Sequence, residues 1–454
     1  MKEIITAQRK FFNTHETKNL HFRRAQLKIL YSALKQNEQL LHEAIYKDFK
    51  KSEFDNYSTE ISLLYKDIKE ARSNIFKWAR RQNVSTGLLN FPASSYIIPE
   101  PLGVCLVIGA WNYPYQLSFA PIIAAIAAGN TVILKPSELP THTAALMAKM
   151  VKENFDPSFF TVVEGGVAET QELLKQKFDK IFFTGSTKVG KIVYKAAAEN
   201  LTPVTLELGG KSPAIVNESC NLKVSVKRIV WGKFLNAGQT CIAPDYVLVH
   251  KSIEKQFLEL AKQEIISQHF AFENDNYLQI INDANFERLE KMLDSEKIYF
   301  GGETNADSRY IQPTLMHNVT LEDPVMLEEI FGPILPVITF ETIEEAIAIV
   351  NSMPKPLSCY LFTKSDRLKK KVLKEISFGG GAINETVMHI TNSELPFGGV
   401  GHSGIGNYHG HAGFKTFTHY KSVMDKPTWL DPSIRYYPHT RFRLKLMRWL
   451  LKFS

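Results

Sequence analysis

A chain of 454 residues is too long for one small core, and the usual size of folding units implies two or three domains. With 44% hydrophobic and 22% charged residues and only 25 Gly and 21 Pro, the disordered, fibrous and collagen-like classes are excluded. The formal charge of +7 is spread through amphipathic segments without a basic stripe of interleaved aromatics, which argues against a nucleic-acid partner.

The first ten residues are charged and lack the apolar core of a signal peptide. From there to about residue 82 helices are predicted: Leu40, Leu41, Ala44, Ile45 and Phe49 recur at helical spacing, as do Ile61, Leu64, Tyr65 and Ile68. A short β candidate follows at 92–100. Continuous apolar runs at 103–109, 131–135, 160–164 and 180–184, each leading into a helix-like segment, predict parallel strands covered on both faces. That is a doubly wound α/β domain. The apolar run 117–128 falls short of the ~20 residues of a membrane span. A second alternating series starts near 204 and takes in 213–216, 246–250, 334–340 and 358–363, with helices at about 222–236, 252–267, 341–351 and 365–375. A second α/β unit is expected there. After about 391 the chain is Gly-rich, then strand-like from Phe414 to Val423, and this stretch is expected to pair with 92–100 as an arm. Residues 441–454 mix basic and apolar side chains as an amphipathic helix does, suited to an anionic membrane surface or to the substrate entrance of its own or a partner subunit.

Several residues carry candidate chemistry. In Phe183-Thr184-Gly185-Ser186-Thr187-Lys188-Val189-Gly190 an apolar strand runs through Gly-Ser into a helix, whose free N–H groups and dipole suit a phosphate; a purely structural turn is the alternative. Lys135-Pro136-Ser137-Glu138 ends the second strand, where a doubly wound fold places ribose contacts, unless Ser137 and Glu138 only cap the next helix. Glu207 stands in an apolar β-like run before Gly209 and Gly210. Burial there raises a carboxyl toward the range of a general base, although a paired structural glutamate fits the local sequence too. Cys241 closes a loop after a helix bearing Trp231, Phe234 and Leu235. Cys105 and Cys359 lie in predicted strands as core residues, and Cys220 lies in a loop without polar machinery. The four cysteines show neither metal nor disulfide spacing, so no metal site is predicted and a reducing cytoplasm fits. His409 and His411, without a third ligand, are expected to pack or face solvent.

Seven segments in chain order resemble the signature set of the aldehyde dehydrogenase superfamily: Ala110-Trp111-Asn112-Tyr113-Pro114, Lys135-Pro136-Ser137-Glu138, Phe183-Thr184-Gly185-Ser186, Leu206-Glu207-Leu208-Gly209-Gly210, Gly238-Gln239-Thr240-Cys241, Glu328-Glu329-Ile330-Phe331-Gly332-Pro333 and Pro396-Phe397-Gly398-Gly399. The resemblance spans about 10–425. The short N-terminal lead, the Gly-Ser-Thr-Lys-Val-Gly turn and the basic C-terminal extension resemble its class 3, fatty aldehyde dehydrogenase branch.

The resemblance implies two doubly wound α/β domains with a small β oligomerisation arm. A Rossmann-like cofactor domain takes 1–82 and 101–206, a catalytic domain 207–390, and the arm with its amphipathic tail 83–100 and 391–454. It makes Cys241 the nucleophile, Glu207 the base and Asn112 the oxyanion donor. Glu329 and Phe331 orient the nicotinamide ribose and ring, Lys135 and Glu138 hold the adenine-side ribose, and Trp111, Gly185 and Ser186 flank the pyrophosphate in a turn continued by Thr187 and Gly190. Tyr113, Trp231 and Thr240 surround the aldehyde. The expected activity is NAD- or NADP-dependent oxidation of apolar medium- or long-chain or aromatic aldehydes to acids, by a cytoplasmic homodimer with peripheral membrane contact through 441–454. Two alternatives are a coenzyme A-acylating or reductive enzyme, and a non-catalytic membrane-binding scaffold. Glu207 argues against the first, since a positioned base is needed mainly when water is the acceptor. The presence of cysteine, base and oxyanion donor together argues against the second.

Overall fold

The computed structural model describes residues 1–452; Phe453 and Ser454, the end of the amphipathic tail, lie outside the described residues. The N-terminal region is helical, with helices Lys2–Phe12, Leu20–Gln36, Glu38–Phe49 and Ser62–Trp78. Their apolar stripes bury Leu27, Leu30, Leu34, Leu41, Ile45, Ile68 and Ile75 in one cluster with the helix Pro114–Ala128. That helix is apolar all round and buried at every residue but Ala124, which is why it belongs at the centre of the packing.

Among the described residues the first sheet has six strands, in the order Gly404–Ile405, Val204–Glu207, Lys180–Thr184, Val104–Ile108, Thr131–Lys135 and Phe160–Val162. Five are parallel and Gly404–Ile405 runs antiparallel against Glu207 and Leu206. Numbered along the chain, the parallel strands lie in the order 3-2-1-4-5, so the sequence direction reverses between Val104–Ile108 and Lys180–Thr184. A crevice at such a reversal, beyond the carboxyl ends of the strands, is where doubly wound folds bind ligands. The strand at 204–207, read from the sequence as the start of the second series, instead completes this first sheet.

The second sheet has seven described strands, ordered Ile298–Phe300, Thr314–Met316, Ile334–Phe340, Tyr246–His250, Pro213–Val216, Ser358–Phe362 and Gly380–Ile383. All pairings but the first are parallel. Helices Leu222–Phe234, Glu254–Ser267, Ile343–Ser352 and Asp366–Glu375 fall within two residues of the sequence-predicted spans. The expected arm forms as well, since Ser94–Pro101 pairs antiparallel with Thr418–Asp425 over eight residues. Its second strand starts later than predicted, because Gly410–Thr416 is helical. His411 stacks on Trp78 at 5.5 Å and His409 on Phe397 at 5.2 Å, so both rings pack.

The tail forms a helix, Arg441–Leu450, capped by the Thr440 hydroxyl, with Phe442, Leu444, Trp449 and Leu451 exposed. Among the described residues, no helix is long and apolar enough to cross a membrane.

One buried ion pair anchors the helix Pro114–Ala128. Lys51 Nζ lies 2.7 Å from Glu60 Oε1, both side chains sealed from solvent, while Glu60 Oε2 accepts from the free N–H groups of Tyr115 and Gln116 at 2.8 and 3.2 Å. The carboxylate therefore sits on the positive end of the helix dipole. Removing one member of a buried pair strands the other charge, so Lys51→Met is expected to lower unfolding stability by about 3–5 kcal/mol, read as the shift of the urea midpoint.

Candidate active site

The turn at the end of strand Val104–Ile108 carries Trp111 and Asn112, strand Val204–Glu207 ends on Glu207, and the coil after helix Leu222–Phe234 carries Cys241. That coil reverses sharply. Asn236, Ala237 and Gly238 all adopt positive φ, at 56°, 51° and 73°, and a side chain at Gly238 would strike the Gly332 carbonyl.

Amides lock the coil to the Asn112 turn. Asn112 Nδ2 donates to the Gln239 carbonyl at 3.0 Å, and Asn236 Nδ2 donates to the Asn112 carbonyl at 3.0 Å and to Gln239 O at 3.2 Å. Gln239 in turn donates to Gln279 O and accepts from Ile281 N. Tyr113 and Thr240 share a hydroxyl hydrogen bond of 2.6 Å directly behind Cys241, and Lys51 Nζ lies 4.1 Å from the centre of the Tyr113 ring. One amide hydrogen of Asn112 is thus committed to the coil and the other is left for a ligand in the cleft.

A single cleft is lined by Trp111, Asn112, Lys135, Glu138, Gly185, Ser186, Glu207, Cys241, Glu329 and Phe331, so ten of the residues singled out in the sequence share one wall. Its floor is formed by the carboxyl ends of the first sheet. Thr187 and Gly190 do not line it: the Thr187 hydroxyl donates to His402 O, and Gly190 is buried where a side chain would meet Leu208. Tyr113 and Thr240 lie behind the wall. Trp231 borders a separate surface pocket with Phe54, Phe234 and Phe270.

The cleft's parts fit a dinucleotide. Helix Thr187–Ala198 points its N-terminus at it, with the Ser186 hydroxyl accepting from Val189 N. At the end of strand Thr131–Lys135, Lys135 Nζ is buried, donating to Pro136 O and lying 3.8 Å from Glu138 Oε2. On the far side, the rings of Trp111 and Phe331 meet edge to face at 5.3 Å. Gly209 has no room for a side chain, since a Cβ there would collide with the Glu329 carboxylate.

The model of the aldehyde dehydrogenase family matches residues 1–423. The chain belongs to this family. It is 50% identical to the 4,4'-diaponeurosporen-aldehyde dehydrogenase of Staphylococcus aureus, with 94% of each chain covered. To the dimeric NADP-preferring aldehyde dehydrogenase of Rattus norvegicus it is 44% identical, again with 94% of each covered. Its fold matches that of Staphylococcus aureus AldH in a substrate-bound state, with a TM-score of 0.97, 46% identity and 99% of each chain covered. The protein is an aldehyde-oxidising oxidoreductase that uses NAD or NADP, similar to the family 3 members.

Charge in the dehydrogenase's cleft follows from burial. Neither oxygen of Glu207 has a hydrogen-bond partner among the described residues, and burial holds this carboxyl well above the usual range. Burial, then the charges of Glu329 and Glu207, push the Cys241 thiol up as well, while the N–H groups of Cys241 and Ile242 oppose the shift. Glu329 is pushed up to about 8, by burial first and Asp245 second.

Three residues escaped the sequence reading. Arg288 donates to Glu329 O at 3.3 Å and to Ile330 O at 2.7 Å, and Asp245 accepts from Ile330 N at 2.9 Å while pairing with Lys211 at 2.5 Å. Together they pin the loop that carries Glu329 and Phe331. Tyr408, buried and with its hydroxyl unpartnered, also lines the cleft. No local pattern marks these residues, since each partner lies tens of residues away.

Alkylation of Cys241 by iodoacetamide in nucleotide-free enzyme is expected to speed up as pH rises, because the thiol is held protonated. Glu329→Gln removes the strongest neighbouring charge and is expected to raise that rate about threefold above the Glu329 titration at about 8, and to leave it unchanged well below, where Glu329 is neutral in both proteins.

Proposed function

We propose that the dehydrogenase oxidises apolar medium- or long-chain or aromatic aldehydes through a covalent intermediate on Cys241. The observation that carries this is the convergence of a cysteine, an unpartnered buried carboxylate and a side-chain amide on one cleft at the carboxyl ends of a doubly wound sheet.

The Cys241 thiolate attacks the carbonyl carbon, and the oxygen that becomes anionic is held by the free N–H of the Asn112 amide and the Cys241 backbone N–H. The thiol proton passes to Glu207, whose raised pKa suits it to receive one. The chemistry supplied by bound NAD or NADP is acceptance of a hydride, which turns the attacked carbon into a thioester. Glu207 then takes a proton from the water that splits the thioester, and the sulfur recovers its hydrogen. Glu329 and Phe331 hold the nicotinamide side, Lys135 and Glu138 the adenine-side ribose, and the Gly185-Ser186 turn, with Thr187 and Gly190 shaping its helix, meets the phosphates. Tyr113 and Thr240 fix the sulfur's loop from behind, and Trp231 lines the separate surface pocket on the other side of that loop, beside Leu235 and Asn236, as the approach for the aldehyde.

An apolar substrate is supported by the Staphylococcus aureus relative, named for 4,4'-diaponeurosporen-aldehyde, and by the exposed apolar side chains of the C-terminal helix. That basic helix lies over a substrate entrance or against a membrane surface. The arm, Ser94–Pro101 with Thr418–Asp425, offers a surface for a homodimer, in keeping with the relative named dimeric, and four free cysteines fit a reducing cytoplasm.

Cys241→Ala is expected to abolish oxidation and Asn112→Ala to cost about 10²–10³ in kcat. Glu207→Gln is expected to give one burst of reduced nucleotide followed by slow turnover. Normal steady-state turnover of Glu207→Gln removes that residue from its role, and a requirement for coenzyme A moves the enzyme to the acylating class. In a chain-length series, deletion of 441–454 is expected to impair long-chain aldehydes more than short ones; equal loss assigns the tail a structural part only.

A further inference from the structure

Oxidation of one aldehyde to a carboxylate with NAD(P)+ and water yields NAD(P)H and two protons. The first is the thiol's, released as the carbon–sulfur bond forms. The second is the new acid's, released after water has cleaved that bond and sulfur has regained its hydrogen. With nucleotide and aldehyde filling the cleft, a proton held on Glu207 needs another way out.

Behind the cleft lies a second cavity, of about 20 Å3, lined by Asp67, Glu70, Trp78, Tyr408 and His409. That is room for roughly one water. Tyr408 belongs to the walls of both spaces, and its buried hydroxyl, beside the Gln116 side chain, makes no well-aligned hydrogen bond among the described residues. The same lack of a hydrogen bond holds for His409 Nε2 and for both Glu207 oxygens, while Asp67, half-buried, lines the small cavity as well. Two of these unpaired groups, the Tyr408 hydroxyl and His409 Nε2, belong to residues that line the water-sized void, and since buried polar groups are ordinarily paired, their place there calls for a function.

We propose that Tyr408, the water-sized cavity and Asp67 form the path by which protons collected on Glu207 leave the enzyme. The inference rests on Glu207 being the base. A proton arriving from the Glu207 side, directly or through a cleft water, makes a new O–H bond on Tyr408 as the old one breaks toward the cavity, so the phenol stays neutral throughout. The cavity water passes the proton to Asp67, which yields it to buffer outside.

The surroundings suit that part. Asp67 faces Lys66 and Glu70 of its own helix and Tyr408 and His409 of the segment packed against it. Burial, then Glu70, raise it to about 7, where a carboxyl both takes and gives protons at neutral pH. His409 is lowered to about 4 by burial, so its ring is neutral and brings no repelling charge. Lys66 is exposed and Glu70 half-buried, so the helix surface beyond Asp67 is wet.

The test is Asp67→Asn in full-length enzyme, with Asp67→Glu beside it. Two readouts are followed in dilute buffer: steady-state aldehyde oxidation, and nucleotide-free hydrolysis of p-nitrophenyl acetate, which acylates Cys241. Asp67→Asn is expected to keep its initial burst of reduced nucleotide, to lose about tenfold in steady-state aldehyde oxidation, and to recover stepwise as imidazole is added, while its nucleotide-free ester hydrolysis, with the cleft open, stays unchanged. Asp67→Glu is expected to oxidise aldehyde normally. Normal aldehyde oxidation by Asp67→Asn in dilute buffer overturns the path, as does a loss that added imidazole leaves unchanged or that ester hydrolysis shares equally. Unimpaired turnover of Glu207→Gln in the same assays fails the assignment of the base instead, whatever Asp67→Asn does.

Discussion

Two carbonyls and two amide side chains tie the turn bearing Asn112 to the coil bearing Cys241. Asn236 spans both, reaching Asn112 O and Gln239 O, while Asn112 reaches Gln239 O from the other side. The two segments come from different sheets, and these bonds, with the Tyr113–Thr240 hydroxyl bond, hold the Cys241 sulfur in register with the Asn112 amide. A misplacement of about 1 Å at reacting atoms costs on the order of a hundredfold in rate. The strained backbone at Asn236 and Ala237 belongs to the same device, because a relaxed coil would carry the cysteine out of the cleft.

Polar satisfaction is uneven around this web. The amides of Asn112 and Gln239 are used fully by the scaffold or left open only toward the cleft, and the loop of Glu329 is held by Arg288, Lys211 and Asp245. The Glu207 carboxyl oxygens and the Tyr408 hydroxyl are left without hydrogen bonds among the described residues. Interiors ordinarily pair such groups, so the unpaired set marks where stability has been given up for reactivity. The Lys51–Glu60 pair shows the opposite case, a buried charge couple whose every member is answered.

Much of this architecture is legible in the residues. Strands such as Thr131–Lys135 and Lys180–Thr184 match their apolar runs to the residue, because strands buried on both faces carry a continuous signal. The motif segments bring ten expected residues to one cleft. What periodicity could not convey is pairing: it grouped 204–207 with the second series although that strand hydrogen-bonds to Lys180–Thr184, and it read 414–416 as strand where a short helix lies. Thr187 and Gly190 belong to the phosphate turn by sequence, yet one turns to His402 and the other packs under Leu208. Arg288 and Asp245 act through partners remote in sequence, and Tyr408 reaches the cleft only through the fold, so a single chain carries no local trace of these places.

The outermost strand of the first sheet, Gly404–Ile405, lies almost two hundred residues beyond its neighbour, which ends at Glu207. A nascent chain can therefore assemble the five parallel strands early, but the flank beside Glu207 stays a bare ribbon of amide and carbonyl groups until the whole second sheet has been made. Synthesis order thus leaves an exposed sheet border that invites pairing with other chains in the interval.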